Sequence, residues 1–292
     1  MKLCRYNDDR LGVVKGDVVR DVTDVQAAIR AESAYAAMGD AVIAALPKWR
    51  DRIEEAAYRA PGLPMGNRVK LLAPVLRPSK VMAAPVNYKL EAQAVDATVT
   101  ALREQRGQPR DIGTSGIFLK SNSSLVGPSQ GIPLRFPDRR SDFEGEIVVV
   151  IGKEGSDIAR GRAMEHVAGY CVGLDMTLRG LEDRSFRKSL DGYSVLGPWM
   201  VTADEIKDPR KIGIKLSLNG DVKQDSTTEF LNYDIARLIE FASSFYRLHP
   251  GDLIYTGTPA GIGQVVPGDT VRVESPEIGA MEIAVRQHEI GG

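Results

Sequence analysis

Val148, Val149, Val150 and Ile151 are apolar at every position, within "SDFEGEIVVVIG" (141–152). A half-exposed strand alternates apolar and polar residues, whereas an unbroken β-branched run predicts a strand buried on both faces. The stretch "GYCVGLD" (169–175) reads as a second such strand, ending on an acid, Asp175. Elsewhere the pattern changes period. From about Val25 to Tyr58 the chain is Ala-rich, with Trp49, Ile53 and Ala57 at i, i+4 and i+8, which predicts helix. "YDIARLIEFASSFYRL" predicts an amphipathic helix, with Ile235, Leu238, Ile239, Ala242 and Phe245 on its apolar face. Short strands are expected around turns at "NDDR" and "KGD", and in "KVMAAPVNY" and "IFLKS". "KIGIKLSLNGDVKQDS" predicts a hairpin turning at Asn219-Gly220. Pro-Gly-Asp precedes a strand in both "HPGDLIYTGTPAGIG" and "VPGDTVRVE". The Pro- and Gly-rich segment 60–80 reads as a connection. It divides the chain into a small N-terminal domain, 1–75, and a strand-rich main domain, 76–292. Steady β-α-β alternation is missing, which argues against a doubly wound sheet. Residues 92–112 are polar and long for a plain connection, as lids and binding loops are.

Composition narrows the function. With 292 residues, 43% hydrophobic and 26% charged, the chain is ordinary for a globular enzyme or binding protein. A net charge of −1 supplies no basic field for nucleic acid. The start, "MKLCRYNDDR", carries no apolar signal region, and no run approaches membrane-spanning length. Cys4 and Cys171 are the only cysteines, without a C-x-x-C, so a reduced, cytoplasmic protein without a zinc site is expected.

The candidate chemistry begins at the mouth of the buried strand. Glu144 and Glu146 are two residues apart, a spacing that puts side chains on one face of a strand about 6–7 Å apart. Two like charges beside a dry core repel and resist desolvation. Either the strand emerges into water there, or a divalent cation offsets the repulsion. Asp175, also closing a buried run, supplies a third carboxylate. An all-oxygen set favours Mg²⁺, Mn²⁺ or Ca²⁺ over Zn²⁺ or Cu²⁺.

With "SDFEGEIVVVIGK", "GYCVGLDMTLRG", "KSLDGYSVLGPWMVT", "LNGDVKQD" and "PGDLIYTGTPAGIG" in that order, residues 75–290 resemble the fumarylacetoacetate hydrolase superfamily. The resemblance implies an α+β fold, a mixed β-sandwich roll with short helices, in a homodimer. It implies a divalent metal on Glu144, Glu146 and Asp175, and a small-molecule substrate that is a 1,3-dicarbonyl or 2-oxo acid. Lys188 then matches the family lysine beside the substrate oxygens, oriented by Asp191. Thr258 matches a threonine that contacts the substrate carboxylate, on a loop shaped by Gly257, Pro259 and Gly261. Arg179 matches a family arginine that pairs with a carboxylate. The implied activity is metal-dependent hydrolysis of a carbon–carbon bond in an acylpyruvate-like compound. Isomerisation or decarboxylation on the same site, or binding without turnover, are the alternatives.

One departure bears on mechanism. Hydrolytic members carry Asn-Tyr-x-x-His, with a glutamate three residues later. Here "VNYKLEAQA" keeps Asn87 and Tyr88 but has Glu91 and Ala94 at those two positions. The three histidines, His166, His249 and His288, lie in other contexts. Glu91 is therefore the candidate general base, since burial can raise a glutamate toward neutral pH.

Overall fold

The computed structural model describes residues 1–32, 38–66, 68–89 and 112–288. The polar segment 92–112 and Glu91 thus fall almost wholly outside the described residues, of which only Ile112 belongs to that segment. A twelve-stranded sheet forms the spine. From its interior to one edge run Lys2–Tyr6, Ser194–Thr202, Val167–Asp175, Gly145–Ile151, Leu253–Tyr255, Val81–Ala83 and Phe118–Lys120, in that spatial order. A five-stranded sheet (213–227, 270–287 and 132–134) and a three-stranded one (141–143, 177–178 and 263–265) complete the strand framework.

Both predicted buried strands are buried throughout, and they pair with each other. Gly145–Ile151 runs antiparallel to Val167–Asp175, from Gly145 opposite Leu174 to Val150 opposite Gly169. Their two faces enter different cores. Ile147, Val149 and Ile151 pack with Val172 and Leu174 toward the five-stranded sheet and the helix Ile235–Phe245. Val148 and Val150 pack with Cys171, Leu196 and Tyr255 against the N-terminal helices. That division explains the missing alternation, because each side of the pleat meets apolar cover.

The predicted hairpin forms, with Leu218 opposite Asp221, and Asn219 and Gly220 both take positive φ, 52° and 89°. Two positive φ values are what a tight hairpin turn matching strand twist demands. The long predicted helix is instead two, Thr23–Glu32 and Ala41–Arg59. Asp40 ends the break by capping the second, its carboxylate accepting from the N–H groups of Val42 and Ile43. In the helix Ile235–Phe245 the buried face is Ile235, Leu238, Ile239, Ala242 and Ser243; Phe245 is 69% exposed. Ten residues on from Ile235, Phe245 has rotated off the apolar stripe and meets Phe241 edge-on, ring centroids 5.3 Å apart.

The N-terminal segment extends the main sheet. Lys2 and Leu3 pair with Val201 and Met200, and Leu3, Val13, Trp49 and Ile53 share a core with Val148 and Leu196. No helix among the described residues is long and apolar enough to cross a membrane.

Candidate metal centre

The chain changes sheets at Glu144. Residues 141–143 pair in the three-stranded sheet, residues 145–151 in the large one, and Glu144 occupies the step between them. The two glutamates therefore do not sit on one regular strand, as their spacing implied. The step is held from both sides. The Asp175 N–H donates to the Glu144 carbonyl at 2.9 Å, and the Gly145 N–H donates to Gln224 Oε1 at 2.9 Å. This kink turns Glu144 toward Asp175, whose strand ends opposite it.

The three carboxylates converge. Among the described residues, Glu144, Glu146 and Asp175 form a group whose ligand oxygens all lie within 4.8 Å of one another. They are 7%, 2% and 2% exposed, which removes the reading of wet strand-end acids. Burial, followed by the charge of Asp175, pushes the Glu146 carboxyl well above its usual range.

Basic groups interleave with the acids. Lys188 Nζ donates to Glu144 Oε2 at 2.6 Å and to Asp175 Oδ2 at 2.7 Å. Lys120 Nζ donates to the other Asp175 oxygen, Oδ1, and to the Tyr193 carbonyl at 2.8 Å. Arg179 Nε reaches Asp142 Oδ2 at 2.7 Å and its Nη2 reaches Glu144 Oε1 at 3.1 Å. Asp142 in turn accepts from Arg140 Nε at 2.7 Å. Phe118 and Tyr255 cover the lysines, with Lys188 Nζ 5.6 Å and Lys120 Nζ 5.4 Å from the respective ring centroids. These contacts keep buried charges paired. Glu146 has the weakest compensation among the described residues, a 2.7 Å bond from the Gly257 N–H to Oε2. The donor set is hard oxygen throughout and, among the described residues, Glu146 forms no salt bridge to a cation, so a divalent cation fits these residues.

Other predicted residues fall in several places. Lys188 is in the centre, but Asp191 does not orient it: Asp191 is exposed and pairs with Arg135 at 2.8 Å. Three residues beyond Lys188, and past the end of the short helix Arg184–Lys188, it points to the rim. Arg179 engages carboxylates of the protein itself. Thr258 Oγ1 donates to the Gly145 carbonyl at 2.9 Å and accepts from Gln224 Nε2 at 2.8 Å. His166 Nδ1 lies 3.0 Å from the Lys153 carbonyl, and His249 Nδ1 lies 3.9 Å from Glu154. Lys120 and Gln224 also belong to the centre and carry little signal in the sequence. Lys120 is 55 residues from Asp175 and sits in a strand with no charge pattern to flag it. Gln224 lies inside "LNGDVKQD", where it appears as one polar residue of a hairpin.

Gly257 has φ 101°, and a Cβ there would stand 2.9 Å from Asn87 Cβ. Gly257→Ala is expected to destabilise the protein by about 1–3 kcal/mol through backbone strain. By moving the N–H that holds Glu146 it should also weaken Mn²⁺ binding about 10–100-fold. Denaturant midpoints and calorimetric titration read the two effects; unchanged Mn²⁺ affinity would show that the loop does not position Glu146.

A strand-rich α+β fold carrying a buried carboxylate triad laced with lysines defines a class of small-molecule metalloproteins. The model of the fumarylacetoacetate hydrolase C-terminal region matches residues 80–286. The maleylpyruvate hydrolase of Aquipseudomonas alcaligenes is 46% identical over 286 residues, covering 98% of this chain and 99% of that one. The structure of a maleylpyruvate hydrolase from Sphingobium sp. SYK-6 with manganese(II) and pyruvate superposes with TM-score 0.81 at 34% identity, over 99% and 100% of the chains. A 5-carboxymethyl-2-hydroxymuconate delta-isomerase from Mycobacterium smegmatis gives 0.72 at 29% identity, over 99% and 100%. The chain belongs to the fumarylacetoacetate hydrolase family.

Proposed function

We propose that the protein is a divalent-metal-dependent hydrolase that cleaves the carbon–carbon bond of an acylpyruvate, giving a carboxylic acid and pyruvate. The observation that carries this reading is the convergence of Glu144, Glu146 and Asp175 around the ammonium of Lys188. Full-length similarity to maleylpyruvate hydrolases supports it. A cation on the triad supplies Lewis-acid polarisation of the oxygens of a 2-oxo acid.

The chain's own residues do the rest. Lys188 is held by two acids, so its remaining N–H is directed rather than mobile, and it stabilises negative charge developing on a substrate oxygen. Arg179, braced by Asp142, fixes Glu144. The Thr258 hydroxyl, tied to Gln224 and Gly145, presents the 257–261 loop to the substrate carboxylate. Glu91 takes the proton of the attacking water. The reaction balances: acylpyruvate and water yield one carboxylic acid and one pyruvate. Residues 1–75 then form a small N-terminal domain beside the catalytic part, 76–292. The enzyme works as a cytoplasmic homodimer in the breakdown of aromatic compounds, with sedimentation at micromolar concentration as the readout for the dimer.

A panel of acylpyruvates and 2-oxo diacids, assayed with Mg²⁺ or Mn²⁺ and followed by product identity, tests the assignment. Pyruvate release is the expected result. Isomerised or decarboxylated product would favour the second reading, which rests on the isomerase relative and the replaced histidine. No conversion of any member would indicate a binding protein. Lys188→Met is expected to lower turnover about 10²–10³-fold, as loss of one preorganised donor does. A turnover equal to wild type would take Lys188 out of the chemistry.

A further inference from the structure

Gln224 lies on Asp221–Thr227, an edge strand of the five-stranded sheet. Leu216 pairs with Gln224, but the next residue, Ser217, pairs with Val222, so Lys223 is an extra residue in the ladder. Such a bulge re-aims the side chains beside it. Val222 and Lys223 are both exposed, and Gln224 turns inward to 1% exposure. Its amide meets two segments of the site at once. Oε1 accepts from the Gly145 N–H at 2.9 Å, and Nε2 donates to Thr258 Oγ1 and to the Pro259 carbonyl, each at 2.8 Å. An N–H can only donate and a carbonyl can only accept, so the amide has one orientation. The bulge also carries the loop's main chain. At Gly261, φ 93°, a Cβ would stand 1.8 Å from the Lys223 carbonyl oxygen, an approach that glycine alone permits.

We propose that Gln224 is the positioning residue that gives this site its preference for a substrate carboxylate over an uncharged group in the same place. It does so by clamping the 257–261 loop to the main chain at Gly145. The inference rests on the proposed function, which brings the substrate carboxylate to that loop, and assigns what holds the loop ready to receive it.

The Thr258 hydroxyl has one proton, and it is donated to the Gly145 carbonyl at 2.9 Å. Gln224 Nε2 takes one of its two lone pairs. The hydroxyl is therefore a staple, and both main-chain groups of Gly145 are engaged, the carbonyl by Thr258 and the N–H by Gln224. A carboxylate only accepts hydrogen bonds, so its recognition falls to the loop's main chain, whose placement must be held tightly. Hydrogen bonds to a charged acceptor are the stronger ones, so a loop that drifts costs a carboxylate more than a neutral ester. Gln224 touches the loop and not the substrate.

Calorimetric titration of the full-length, Mn²⁺-loaded protein with pyruvate and with methyl pyruvate, its uncharged ester, tests this. Wild type should bind pyruvate at least about tenfold more tightly than the ester. In Gln224→Leu, pyruvate affinity should fall about 10–100-fold while ester affinity changes little, so the preference collapses. A merely structural amide would weaken both ligands alike. Equal loss of both ligands, an unaltered preference in Gln224→Leu, or equal binding of the two by wild type would overturn the inference. If Gln224→Leu fails to fold, crystals of the wild-type protein with Mn²⁺ and pyruvate decide. Gln224 should keep its bonds to Thr258 and Pro259 with the carboxylate against the loop, and a loop released from Gln224 would overturn the inference. Failure of wild type to bind pyruvate at all would instead remove the proposed function, and this inference with it.

Discussion

Glu146→Gln loses divalent-cation binding and at least about 10³-fold in turnover, on the estimate that Lewis-acid stabilisation is worth several kcal/mol at 1.36 kcal/mol per tenfold. The substitution isolates the charge. The amide keeps an oxygen to accept from the Gly257 N–H, so the loop retains its anchor. The fold should persist. Burial raises the Glu146 carboxyl well above its usual range, so the ionised form costs the metal-free protein stability at neutral pH. Metal-free Glu146→Gln should therefore melt at the same temperature as metal-free wild type or higher, while added Mn²⁺ should raise the melting point of wild type only. Retained Mn²⁺ binding in the variant would mean that Glu146 is not a ligand.

Glu91→Gln is expected to keep substrate binding and to lose about 10²–10⁴-fold in turnover, the range for loss of a general base. Glu91 itself lies outside the described residues, but its neighbours are fixed at the centre. Asn87 Nδ2 donates to the carbonyls of Tyr233 and Thr256 at 2.9 and 2.8 Å, and its Oδ1 accepts from the Tyr233 N–H at 2.8 Å. The same asparagine packs under Gly257, the residue that holds Glu146. Tyr88 is fully buried, and its hydroxyl is pushed upward by burial and then by the charge of Glu146. Steady-state kinetics with saturating metal separates KM from kcat. An unchanged kcat would exclude Glu91 as base and bring isomerisation forward.

The parts of this molecule that were legible in the sequence are those set by local pattern. The run Val148–Ile151 has the pattern of a strand covered on both sides, and Asn219-Gly220 that of a tight turn. The triad was legible because three acids ended or opened apolar runs, and a buried acid requires compensation. The features that escaped depend on distant pairing. Glu144 belongs to a change of sheet that is invisible until both partner strands are known. Lys120 resembles a surface lysine until the strand Phe118–Lys120 is laid at the sheet's end beside Val81–Ala83. Asp191 carried the right spacing to serve Lys188, but the chain beyond the short helix turns it out to Arg135. The break between the N-terminal helices rests on a cap, Asp40, in a stretch whose composition is helical on both sides.

Metal-dependent hydrolysis of an acylpyruvate on Glu144, Glu146 and Asp175 has a direct readout. Pyruvate release by metal-stripped protein, followed as Mn²⁺ is added back, tests it most directly. The account predicts no release from stripped protein, recovery that saturates at one ion per chain, and one pyruvate with one carboxylic acid for each substrate consumed. Undiminished release after stripping, or substrate consumed with no pyruvate formed, would contradict it.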